Sequence, residues 1–284
     1  MSVVIAHNNY GKSRVRLVKV TRLADRHEIK EVAVNIQLAG DFESAHTLGD
    51  NSKILPTDTM KNTVYALAKN HSLNSIEEFG MSLCKHFLEN NPQIAQTTIE
   101  LIESLWSRLS VTKDTKDSPH PHAFSAQKEK RLAIIRQTKD KTVVQSGIQD
   151  LLILKTTDSG FSHFIRDKFT TLKETDDRIF ATDLKTVWTY DSLPMDYPSE
   201  HKTIRRILLE TFAAHKSLSV QQTLYAMGQA VLEKVRSVTE ISLSMPNKHC
   251  LLINLEPFGM KNENEIFVPT DEPHGLIEAT LTRG

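Results

Sequence analysis

The sequence predicts an α+β fold of two tandem ββααββ modules. Apolar residues alternate with period two in several stretches and step by three or four in others, and the order of those patterns repeats once along the 284 residues. A weak internal echo fits a duplication: Thr57-Asp58 precedes Val64-Tyr65 much as Thr182-Asp183 precedes Val187-Trp188. The expected modules are residues 1–138 and 139–284.

In the first module Arg14 to Val20 is strand-like, and Glu31 to Leu38 alternates strictly, with Val32, Val34, Ile36 and Leu38 on one face. A polar turn between them predicts an antiparallel pair. Helical patterns follow over Asp58 to Asn70 and Ser75 to Glu89. Ser75 with Glu78 forms a capping box, and Ile76, Phe79, Leu83 and Phe87 form an apolar stripe. Strands return at Ile94 to Leu109 and Arg131 to Gln137. The intervening Thr112 to Lys130 is polar, holds Pro119 and Pro121 and has no period, so it reads as an exposed loop or linker.

The second module repeats the order. Thr142 to Lys155 and Asp183 to Tyr190 read as strands, Ser199 to His215 and Ser219 to Val238 as helices, and Glu240 to Leu255 and Leu276 to Thr282 as strands. The last helix is the clearest element, with Val220, Leu224, Met227, Val231, Val235 and Val238 in step behind a Ser219/Gln222 cap.

Thirty-five basic and thirty-five acidic residues cancel, and no basic block stands out, so nothing electrostatic points to nucleic acid or a membrane surface as partner. Apolar content of 39% suffices for large cores, yet no apolar run is long enough to span a bilayer. The start MSVVIAHNNYGK lacks the pattern of a signal peptide, and Leu281-Thr282-Arg283-Gly284 is not a Ser-Lys-Leu type of peroxisomal address; a cytoplasmic protein is expected. Cys84 and Cys250 are too few for a disulfide framework or a Cys-rich zinc site.

Candidate chemistry begins on the odd-numbered positions from Ile241 to Leu255, an apolar strand face interrupted by Asn247 and His249. Both side chains should project from the face the strand buries, and two adjacent interruptions point to a polar pocket. Ser219, Val220 and Gln221 open a helix whose first N–H groups lack acceptors, an end that suits an anion; Gln221 adds an amide for a planar heterocycle. Arg178 could grip a carboxylate or enolate-like oxygen, although composition alone favours an ion pair with a local acid. Leu55-Pro56-Thr57-Asp58 enters a helix with Thr57 or Asp58 as its cap. His120 and His122 could supply two metal ligands, but no third is near, and a solvated loop is the better reading. His71 and His215 sit at helix ends compatible with the dipole.

Six separated motifs then combine into a resemblance. Tyr10-Gly11-Lys12, Thr57 to Thr63, the block Phe161 to Arg178, Ser219-Val220-Gln221, Pro246-Asn247-Lys248-His249 and Asp271 to Gly275 resemble urate oxidase (uricase), in the family's order and over residues 10 to 282. The resemblance implies two tunnelling-fold (T-fold) modules per chain, each ββααββ, with an antiparallel sheet and helices on one face. It also implies a homotetramer with active sites at subunit interfaces, where Lys12, Thr57 and Asp58 of one chain face Phe161, Arg178, Val220, Gln221, Asn247 and His249 of another. The implied reaction oxidises urate with O2 and water to 5-hydroxyisourate and hydrogen peroxide, in purine degradation, with no metal or organic cofactor.

By the same resemblance, Phe161 stacks on the purine, Arg178 and Gln221 hold its polar edge with the Val220 backbone, and Asp58 bonds near the five-membered ring. Lys12, Thr57 and His249 form the catalytic proton relay, and Asn247 with Thr57 holds O2 and later the attacking water. Asp176, where relatives can carry a bulkier aromatic, is a departure at the rim. Two other classes compete: a tunnelling-fold pterin or purine hydrolase, which would need a zinc constellation or a pterin-anchoring acid, and a non-catalytic binder, which would need no proton relay.

Overall fold

The computed structural model describes residues 3–113, 116–192 and 196–283. Eight strands follow one another in a single antiparallel sheet, in the order of the chain. Contacts divide the chain into two compact units, Met1–Gly147 with Leu193–Pro198, and Ile148–Ser192 with Ser199–Gly284.

The first unit carries β1 (Tyr10–Arg22), β2 (His27–Gly40), α1 (Glu43–Thr47), α2 (Thr57–Asn70), α3 (Ile76–Asn90), β3 (Ile94–Lys113) and β4 (Lys116–Thr138). The alternation in β2 sends Val32, Val34, Ile36 and Leu38 into the core, where each is at most 1% exposed. The α3 stripe of Ile76, Phe79, Leu83 and Phe87 is fully buried over β3 and β4, where Gly80 lies close to Leu101 and Ile135, and Ser75 caps the helix by accepting from the Glu78 N–H. Burying a side chain of this size contributes roughly 1.5–3 kcal/mol, so these two apolar sets contribute substantially to the unit's stability. One charge lies beneath them: Glu77, fully buried, accepts from Ser146 Oγ at 2.6 Å and from Arg131 at 3.3 Å. A buried carboxylate needs such partners.

Of the stretch expected to be a loop, Thr112 to Lys130, residues 114 and 115 lie outside the described residues and the rest is strand instead. Residues from Lys116 onward form the outer half of β4, paired back on β3 from Lys113↔Lys116 through Arg108↔Phe124, with register shifts on either side. Its two faces are largely exposed, so it has no apolar period to read. Arg108 covers the irregular section, donating to the carbonyls of His120 and Pro121 and lying over the Phe124 ring.

The second unit carries β5 (Thr142–Lys155, from Ile148 onward), β6 (Phe180–Tyr190), α4 (Tyr197–Ala214, from Ser199 onward), α5 (Val220–Lys234), β7 (Val238–Leu252) and β8 (Phe267–Thr282). The α5 stripe of Val220, Leu224, Met227 and Val231 is buried, and Ser219 caps it by accepting from the Gln222 N–H. The helix ends at Lys234 rather than Val238: Val235 is its C-cap and Val238 already belongs to β7. The stop is enforced from the chain's other end, because the Arg283 guanidinium donates to the carbonyls of Leu232, Val235 and Arg236.

The expected burial of the Asn247/His249 face is also corrected. Ile241, Leu243 and Met245 are buried, but Asn247 and His249 are partly exposed and Leu251 is 54% exposed. The sequence alternation outlasts the core of its own chain.

Candidate active site

In the first unit, backbone constraints bring Lys12, Thr57 and Asp58 together. Lys12 follows Gly11, where a Cβ would overlap the Ile36 carbonyl, so only glycine lets β1 approach β2 here. Lys12 pairs with Ile36 but Val15 with Val34, a bulge in which Arg14 takes φ 56 and donates its N–H to Asn35 Oδ1 at 2.7 Å. Such bulges re-aim side chains at the edge of a sheet.

Neither Thr57 nor Asp58 is the cap of α2. Pro56 holds that position with no side-chain bond, and Thr57 and Asp58 are the first two helical residues. Asp58 instead accepts from Lys61 and from Asn62. The Lys61 bond and charge, with a smaller contribution from Lys12, hold its carboxyl below the usual carboxylate range. No hydrogen bond engages the Thr57 hydroxyl or the Lys12 ammonium among the described residues. A hydroxyl and an ammonium without partners are groups of the kind that can pass a proton.

In the second unit a backbone clasp assembles a different kind of surface. Ser217 accepts from the Gly160 N–H and donates its own N–H to Asp158, while Phe161 and Thr175 exchange both backbone bonds. The Phe161 ring stacks on Phe164 at 5.0 Å, and the Arg178 guanidinium lies 5.3 Å from the Phe161 centroid. Arg178 makes no ion pair or hydrogen bond among the described residues, and burial lowers its pKa. The local ion pair favoured by composition is therefore absent, and a half-buried guanidinium without an anion is a receptor for one.

The same clasp reaches the start of α5. Ser217 Oγ donates to the Ser219 carbonyl, and the buried Thr223 hydroxyl donates to Ser217 Oγ at 2.8 Å. The first-turn N–H groups at Val220 and Gln221 have no acceptor among the described residues, and the Gln221 amide is exposed. Sequence reasoning passed over Ser217 and Thr223 because nothing in a serine or threonine near a cap distinguishes a coupling residue from a turn residue.

His215 closes this network through Nδ1 to Thr223 Oγ1 at 3.1 Å, and His71 accepts the Leu73 N–H on its Nδ1. Both residues lie at helix ends as expected, and burial pushes both imidazoles below the ordinary value, which favours the neutral ring there.

Asn247 and His249 lie at a second irregularity. Asn247 pairs with Gly275 but His249 with Thr270, so Asp271 to His274 bulge out of β8 opposite Lys248, which donates to Asp271 at 2.6 Å. Neither the Asn247 amide nor the His249 ring has a partner among the described residues, and no ring contact or hydrogen bond joins them to Phe161 or Arg178. Among the described residues no group of three or more His, Cys, Asp or Glu is arranged to hold a metal ion, and this includes His120 and His122.

The uricase family model matches residues 8–136 and 144–278, which contain every one of these groups. The chain belongs to the uricase family. Among curated relatives, the uricase of Arthrobacter globiformis is 45% identical over 99% of this chain and 90% of its own length, and that of Dictyostelium discoideum is 39% identical over 97% and 96%. The solved structure of the Arthrobacter globiformis uricase superposes with a TM-score of 0.93 over 100% of this chain and 96% of that one. A Bacillus fastidious uricase, 22% identical, shares the fold with a TM-score of 0.84. The α+β fold read from sequence is that of the uricase structures, and among the described residues no helix is long and apolar enough to cross a membrane.

Proposed function

We propose that this uricase-family chain oxidises urate with O2 and water to 5-hydroxyisourate and hydrogen peroxide, using neither a metal nor an organic cofactor. Urate oxidase activity follows from family membership; the roles of individual residues and the assembly are the proposed part. The observation that carries the reading is Arg178, a half-buried guanidinium beside an aromatic ring with no anion of its own. Urate is a flat anion. Phe161 would cover its plane, Arg178 and Gln221 its polar edge, and the Val220 N–H a carbonyl oxygen.

Lys12 and Thr57 would then deprotonate the substrate further, with His249 extending the relay and Asn247 and Thr57 holding O2 and the attacking water. Asp58 would bond beside the five-membered ring through its backbone. Electrons pass from the urate anion to O2, which leaves as hydrogen peroxide, and water supplies the new hydroxyl at carbon. The expected modules at 1–138 and 139–284 would each supply one half of the site.

A homotetramer with interfacial sites is part of the same proposal. Each unit ends on an edge strand, β1 or β8, whose outer backbone groups suit pairing with another chain. Beside β8 runs a groove of about 930 Å³ that includes Gln221, Tyr225 and Leu281. The loop bearing Phe161 also exposes Ile165 and Phe169, which are 94% and 77% accessible. Apolar surface of this kind at a substrate site favours closure by a second copy.

The test is loss of the near-ultraviolet absorbance of urate with matching hydrogen peroxide formation in the presence of a chelator. No loss at micromolar enzyme would refute the reading. A chelator-sensitive reaction would refute the cofactor-free form.

A further inference from the structure

We infer that Tyr10 is a positioning residue for the proton-handling half of the site, its phenol setting the separation of Lys12 on β1 from Thr57 at the start of α2. This rests on the proposed relay role of Lys12 and Thr57 and goes beyond it. Tyr10 stands two residues before Lys12, and Leu55 stands two residues before Thr57. The Tyr10 hydroxyl accepts the Leu55 N–H at 2.8 Å and donates to the Leu55 carbonyl at 3.2 Å. One oxygen thus fixes both polar backbone groups of a single loop residue.

The ring is fixed in turn. It meets Phe42 edge to face at 4.8 Å, and Phe42 is fully buried. On the strand side, Gly11 lies close against Ile36, and Lys12 pairs with Ile36 just before the bulge. The loop is otherwise held before Leu55, by the Ile54 N–H on the Asn51 carbonyl and by Gln93 Nε2 on the Lys53 carbonyl; on the Thr57 side Pro56 has no N–H to donate, and α2 starts without a side-chain cap. Removing the phenol oxygen frees Leu55 and the approach to Thr57 while the β1–β2 pairing stays in place. Burial raises the pKa of the phenol, so it remains a donor to the Leu55 carbonyl across the working range of pH.

A proton relay is sensitive to such freedom, because a displacement of about 1 Å can lower turnover by about 10²-fold. Tyr10→Phe keeps the ring and its contact with Phe42 and deletes only the oxygen. In the intact assembled enzyme, we expect kcat for urate to fall about tenfold with KM within about twofold, as for an interaction that matters only in the transition state. The decisive variant is the double substitution Lys12→Met with Tyr10→Phe. If Tyr10 acts through Lys12, the double variant turns over no more slowly than Lys12→Met alone. A further tenfold loss on top of Lys12→Met, unchanged kcat in Tyr10→Phe, or a rise in KM alone would each overturn the inference. Lys12→Met with wild-type turnover would instead overturn the relay on which it rests, so the two failures are distinguishable.

Discussion

The two half-sites are built on opposite physical plans. The first-unit half is a set of charged and hydroxylic groups left without partners: the Lys12 and Thr57 side chains carry no hydrogen bond among the described residues, and Tyr10 ties the backbone of Leu55, two residues before Thr57. The second-unit half is a clasp in which buried Ser217 and Thr223 couple the Phe161 loop to the start of α5. Groups that move protons must keep unsatisfied valences, whereas groups that orient a rigid ring must not move. On the proposed roles, turnover would rest on the first half and affinity on the second.

The sharpest way to break that division is Lys12→Met or Thr57→Ala, which should lower kcat by about 10²-fold or more with KM little changed, since general acid–base groups contribute about 10²–10⁴. Steady-state kinetics on urate measure it, and a change confined to KM would reverse the assignment. Arg178→Ala should do the opposite, raising KM by about tenfold to a hundredfold, because a charge-assisted bond to an anion contributes about 1.5–3 kcal/mol. Ser217→Ala breaks two bonds of the clasp, one buried and one partly buried, and should raise KM several-fold while lowering stability by about 1–3 kcal/mol in denaturant titration. If Ser217→Ala lowers kcat alone, the clasp is not an affinity device.

Smaller effects concern the frame. Arg283→Ala removes the donor to three carbonyls at the end of α5 and should cost about 1 kcal/mol without altering KM. The pH dependence of stability should fall on the acid side. His71 and His215 lie below the ordinary imidazole value of 6.5, so the unfolded chain binds more protons as pH falls past that value. Their contribution is complete above it and is lost as pH drops through the depressed folded values. The melting temperature should decline between about pH 7 and about pH 5, and His71→Asn should flatten that decline.

What sequence could and could not show follows from which periodicities a single chain covers. The β2 alternation and the α3 and α5 stripes were legible because the chain buries them itself. The outer β4 hairpin was not, since it is exposed on both faces and carries no period. The Asn247/His249 face was legible as a pattern but misread as in-chain burial, because the core stops at Met245 while the alternation continues. The site residues surfaced through motif order rather than through any local signal. Arg178 shows why: its lack of an ion pair is a three-dimensional fact, and four acidic residues lie within its own block, at 167, 174, 176 and 177. Tyr10 and Ser217 act through backbone atoms of distant residues, which no composition records.

We propose that the two half-sites meet across a chain boundary, and subunit complementation decides whether they do. Lys12→Met and Arg178→Ala chains, each defective alone, are co-expressed and isolated as mixed assemblies, then assayed at urate well below KM. Random pairing of two chains makes about a quarter of the sites wild type, so activity should recover to about a quarter of the wild-type value. Activity no greater than the mean of the two single variants would show that both halves come from the same chain and would contradict the account.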